Sequence, residues 1–297
     1  MREIRQTFWL AGQNFSGWKR NPRIVITFLL AFVLCLLLSE EVMTQAHRYE
    51  TALQILEPFI WTYGDAASVM LSSLLLVVLF GDMPFVNQET PYRLIRTKRN
   101  VWLAGQVIYV TVVTVLYNLF LVVVLAAFAA PFAFGGNVWS KTAAMLGYGG
   151  AAKGVVPVSV KTMENTLPYE CALQVFLLML CYSLFIVSVM LCLNLVLGNA
   201  AGIIGAFAMN LYGFLMSPKI FQKLFHLTEN QLYQANVLCG WLSPLNHATF
   251  PMHNFGYDYL PRVEISIGIF IMMIAVLIVV SGTKVRTYNF TFIQMDE

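Results

Sequence analysis

Two long uncharged stretches dominate the hydrophobic pattern: residues 100–140 and 171–218 hold no Asp, Glu, Lys or Arg, runs of 41 and 48 positions. A helix rises about 1.5 Å per residue and bilayer hydrocarbon is about 30 Å thick, so the longer run exceeds one crossing and must fold back. Gly198-Asn199-Ala200-Ala201-Gly202 supplies small and turn-favouring residues for that reversal. The whole pattern predicts an all-α polytopic membrane protein with six spans near 24–39, 59–81, 103–130, 171–197, 201–216 and 263–282. One domain over 1–297 is expected, because no stretch of ordinary composition is long enough for a separate soluble unit.

Shorter patterns flank the spans. Ile4, Phe8, Ala11, Phe15 and Trp18 recur at helical spacing. Among basic residues and aromatics, that stripe predicts an interfacial helix over 1–22 that uses Phe8, Phe15 and Trp18 and stops at Asn21-Pro22. Asp82-Met83-Pro84 breaks the chain after the second span, and Thr90-Pro91 reads as an N-cap followed by proline at the first helical position. A short helix there carries Arg93, Arg96 and Arg99 on neighbouring positions, with Tyr92, Leu94 and Ile95 for apolar contact. Before the last span, Ile220, Phe221, Leu224 and Phe225 make an amphipathic patch, and the apolar 239–245 stretch is broken by Gly240 and Pro244. A re-entrant segment is expected there, and a flexible loop around the glycines of 147–154.

Composition agrees: 59% of residues are hydrophobic, 11% are charged, and mean hydropathy is +0.70. The charges also give a direction. Eleven Lys and Arg against five Asp and Glu fall in the N-terminal segment, the 82–99 connection and the tail, whereas the other side receives seven against ten. Basic residues gather on the cytoplasmic side, so both termini are expected there. The net charge of +3 lies beside apolar segments and suits membrane orientation better than nucleic acid, which is not an expected partner. Cys35, Cys181 and Cys192 lie within apolar runs, and no disulfide framework is indicated.

Candidate chemistry is sparse. Asp65 is the clearest intramembrane acid, a pathway residue or, after Gly64, a helix N-cap. Asn118, Asn194 and Asn210 can hydrogen-bond between helices. His226, His247 and His253 share the outer segment with Cys239 and Asp258, but their spacing matches no zinc pattern and no metal is expected. No nucleophile motif appears, and the glycines of 147–154 lack the order of a phosphate-binding loop. The expectation is therefore not an enzyme. With so few buried ionisable groups, any transport is expected to draw its energy from another subunit.

The layout resembles the membrane-spanning permease subunits of type-2 ABC exporters, those of the type V fold. The strongest matches are Asn14-Phe15-Ser16-Gly17-Trp18-Lys19-Arg20-Asn21-Pro22-Arg23, the run from Thr90 to Gln106, and Leu242-Ser243-Pro244-Leu245. The first two look like a Gram-positive bacterial group, which implies a bacterial plasma membrane. The resemblance implies that Thr90, Pro91, Tyr92, Arg93, Leu94, Ile95, Arg96, Thr97 and Arg99 dock into an ATP-binding subunit. It implies that Ser243 and Pro244 line an outer gate, with Asp65, Asn118 and Asn210 as possible pathway residues. ATP and Mg would be held by that separate subunit, with no cofactor in this chain. A second copy or a related permease would complete the pathway within membrane lipid, for a lipid, lipopeptide or hydrophobic peptide. The alternative is a membrane sensor or assembly partner of a cytoplasmic ATPase that transports nothing.

Overall fold

In hydrocarbon each backbone N–H and C=O must find its partner within the segment, and helices satisfy that rule. Helix is accordingly the dominant element of the computed structural model, which describes residues 2–18, 21–85, 97–149, 158–226, 228 and 231–288. The first half holds α1 (Arg2–Ser16), α2 (Pro22–Arg48), α3 (Glu57–Tyr63), α4 (Ala66–Leu79), α5 (Arg99–Ala129), α6 (Lys141–Tyr148) and α7 (Val160–Asn165). The second holds α8 (Pro168–Leu197), α9 (Asn199–Leu215), α10 (Pro218–Leu224), α11 (Leu232–Leu242), α12 (Pro244–Ala248) and α13 (Val263–Lys284). One parallel contact of two residues, Leu53–Gln54 with Ala133–Phe134, pins the loop after α2 to the end of α5.

Four helices, α2, α5, α8 and α13, are long and apolar enough to cross a membrane. The count reaches six if each of two bent pairs, α3 with α4 and α9 with α10, makes one span. The expected continuous helix over 59–81 is instead broken at Gly64-Asp65, where α3 and α4 meet at 87°. The cause is local: the Asp65 carboxylate takes the N–H groups of Ala67 and Ser68 at 3.0 and 3.3 Å and starts a new helix. Helix α4 has 14 residues and so runs about 21 Å, short of a full crossing by itself. The reversal within the long uncharged run falls at Gly198, whose φ of +106° suits a residue without a side chain.

Helix α8 is the hub, packed by α3, α4, α5, α9, α12 and α13. Its Cys171, Val175, Leu178, Met179, Tyr182, Ile186 and Met190 are buried. By contrast, α2 and α13 leave rows of apolar side chains on the surface, among them Val25, Leu29, Leu37, Ile271, Met272 and Val279. Helices α6 and α7 stand on either side of the glycine-rich stretch expected as a loop, of which residues 150–157 lie outside the described residues.

Candidate functional site

At the end of the bundle that carries Glu3, three elements converge. Lys98 stands at the N-cap of α5 and pairs with Glu3 of α1 at 2.7 Å, an exposed contact. Arg99 opens α5, and its Nη1 donates to the carbonyls of Val285, Arg286 and Tyr288 at 3.4, 2.7 and 3.1 Å. Those carbonyls lie at and beyond the C-terminal end of α13, where a cation is favoured. Thr97 is described beside them; Thr90, Pro91, Tyr92, Arg93, Leu94, Ile95 and Arg96 lie outside the described residues. Arg23, in the first turn of α2, reaches Asp82 after α4 at 3.4 Å. Burial holds the Asp82 carboxyl above its ordinary value, with Arg23 pulling the other way.

Helix α1 lies on α5 with a face that overlaps the predicted stripe only in part. Leu10 and Ala11 are buried, while Phe8 and Ile4 are 62% and 64% exposed. Close approach depends on Gly105, where an added Cβ would stand 2.9 Å from Leu10 Cβ. Phe15 and Trp18 do join this contact: Trp18 donates to the Tyr109 hydroxyl at 3.0 Å, and Phe15 meets the Tyr109 ring edge-on at 4.9 Å. The helix therefore has an inner face spent on α5 and an outer face carrying Ile4, Phe8 and Trp9.

Asn210 of α9 sits in a buried polar seam between α4 and α8. Its Oδ1 accepts from Ser73 Oγ at 2.6 Å and from Tyr182 OH at 3.0 Å, while its Nδ2 donates to Ala206 O. Asn118 is also buried, but it bonds within its own helix, to Thr114 O at 2.8 Å. Its Oδ1 has no partner among the described residues. Asn194 links two turns, donating to Met83 O and accepting from Gly202 N, both at 2.7 Å. Asn194 and Asn210 thus join neighbouring segments; Asn118 does not.

The opposite end is capped by short helices. Ser243 is the N-cap of α12: its Oγ accepts from Asn246 N and donates to Gly213 O at 3.0 Å, and Pro244 takes the first helical position. Gly213 permits this contact, since a Cβ there would lie 2.7 Å from Leu245 Cβ. Asp65, half-buried, is engaged as the cap of α4, the second of its two sequence readings.

Two further buried features lie at this end, and the first was not singled out from sequence. Glu57, fully buried in the first turn of α3, accepts from Ser140 N at 2.7 Å, Ser140 Oγ at 2.6 Å and Gln54 N at 3.3 Å. Its position two residues before the predicted span hid it. His247 and His253 are also buried, and both imidazoles touch the Ser266 hydroxyl of α13 at 2.8 and 2.9 Å. Outside them, Lys161 of α7 donates to His253 O at 2.9 Å and pairs with Asp258, lying over the rings of Phe255 and Tyr257. Among the described residues no group of three or more His, Cys, Asp or Glu side chains could hold a metal ion. Cys35, Cys171, Cys181, Cys192 and Cys239 are free thiols.

No protein-family model matches this chain, and no curated protein matches it.

Proposed function

We propose that this chain is the membrane-spanning permease subunit of an ABC exporter, driven by ATP hydrolysis in a separate polypeptide. The observation that carries the reading is the junction at Arg99. A basic segment, residues 90–99, leads directly into α5, and its last arginine is bonded to the end of α13. Lys98 bonds to α1. A force applied to that segment by a partner would therefore reach three helices at once, which is what a coupling element needs.

The remaining assignments follow from this reading. Thr90–Arg99 is the contact for the ATP-binding subunit, α1 lies in the cytoplasmic membrane interface, and both termini are cytoplasmic. The α11–α12 region forms the re-entrant outer segment, and a second permease completes the pathway. The spans offer mostly apolar side chains, which suits a lipid, lipopeptide or hydrophobic peptide.

The test is co-purification followed by ATPase assay. The tagged chain should bring down an ATP-binding subunit, and Arg93→Glu with Arg96→Glu should abolish substrate stimulation of hydrolysis while leaving membrane insertion intact. Stimulation equal to that of the parent complex would reject the coupling assignment.

A further inference from the structure

The His247–Ser266–His253 bridge contains a proton deficit. Four polar contacts run along it in series. His247 Nε2 faces Trp241 O at 3.0 Å, and His247 Nδ1 faces Ser266 Oγ at 2.8 Å. His253 Nε2 faces the same Oγ at 2.9 Å, and His253 Nδ1 faces the carbonyls of Thr249 and Phe250, both at 3.1 Å. A carbonyl only accepts, so the outer nitrogen of each ring must carry the hydrogen. A neutral imidazole has one N–H, so both inner nitrogens then present lone pairs to a single hydroxyl. Ser266 has one hydrogen and can satisfy one of them.

Exchanging tautomers moves the deficit without removing it: two neutral rings and one hydroxyl supply one hydrogen each for four contacts. One further proton fills the series, with one imidazolium donating to Ser266 Oγ and that hydroxyl donating to the other ring. We propose that His247, Ser266 and His253 form a binding site for one proton, shared between the two rings. Binding ties α12 and the turn at 250–253 to the first turns of α13. The assignment is independent of the transport reading.

The surroundings set the balance. Burial pushes both imidazoles down, His253 to about 4. The N-terminal end of α13 also disfavours a cation. Lys161 opposes protonation of His253, and Asp258, its ion-pair partner, offsets that charge. The other charged or titratable groups on elements packed against the bridge are Arg262, Glu264 and Lys284 at the two ends of α13, Tyr169, Glu170, Cys171, Cys181, Tyr182 and Cys192 on α8, Cys239 and Tyr233 on α11, and Tyr212 on α9; α4 contributes only its Asp65 cap. Against desolvation stands the cost of a lone pair held against a lone pair inside the protein, which protonation removes.

The experiment is a pH titration of the full chain in lipid nanodiscs, labelled with 15N-histidine. His47→Gln and His226→Gln remove the other two of the four histidines. Uptake of a single proton by the pair, with a midpoint above about pH 5, is the expected result. Ser266→Ala should lower that midpoint by about one unit, a tenfold loss of proton affinity, because the bridge that rewards the proton is gone. No uptake down to about pH 4.5, or two independent titrations near the free imidazole value of about 6.5, would overturn the proposal.

Discussion

Glu57 shows how much one residue can hold at this end of the molecule. Its carboxylate gathers three donors from the loop before α3 and from the N-cap of α6, so both oxygens accept and neither has reason to donate. Glu57→Gln turns one acceptor into a donor facing donors, and a loss of about 1.5–3 kcal/mol is expected, the usual range for hydrogen bonds to a charged group. Hydrogen exchange checks it: amides of 53–57 and 140–148 should exchange faster in the variant, with the rest of the chain little changed. Asp65 was the acid the sequence offered most openly, yet its Oδ2 closes the N-terminus of α4. The difference was not readable from residue type. A carboxylate within an apolar stretch is a cap or a buried centre according to where the helix breaks, and that depends on the 87° bend. Of the three asparagines, only their polarity in an apolar run was legible. Their partners, Ser73 and Tyr182 for Asn210 and Met83 for Asn194, come from distant parts of the chain.

Among elements, α1 separates pattern from packing. Helical spacing identified the helix, because Ile4, Phe8, Ala11, Phe15 and Trp18 share a stripe. It identified the docking face only in part: Ala11, Phe15 and Trp18 of the stripe do meet α5, but Leu10 stands to one side of the stripe and Gly105 on α5 selects it by leaving room. Gly105→Val should overpack the junction at a cost of about 1–3 kcal/mol and lift α1 from α5. In a Leu10→Cys background, the thiol should be unreactive when Gly105 is present and readily alkylated when it is replaced. Equal protection in both backgrounds would mean that α1 is held elsewhere. The reversal at Gly198 was legible because glycine tolerates its positive φ, whereas the break between α3 and α4 was not, since Gly64-Asp65 also fits the start of a longer helix.

For the whole molecule, the number of crossings decides the arrangement of every loop. Four helices are long and apolar enough to cross, and the count reaches six if both bent pairs do. The alternatives differ at one accessible place. With six crossings the 133–167 connection lies on the side opposite the termini, and with four it lies on the same side. Val138 is exposed at 66%, so Val138→Cys should react with an impermeant thiol reagent from the face opposite a cysteine placed near Arg286. Labelling from the same face would show that α9 with α10 does not cross, because only α8, that pair and α13 separate the two positions. Sequence by itself determined that the chain is helical and built for a bilayer, since uncharged runs of this length have few other stable surroundings. It also located the chain reversal at Gly198, because that property belongs to the residue itself. Only the tertiary structure decided that Glu57, His247 and His253 are buried, that Ser266 stands between two imidazoles, and that Arg99 holds the end of α13. Those outcomes depend on which distant groups share one small volume, and hydrophobic periodicity carries no information about that neighbour.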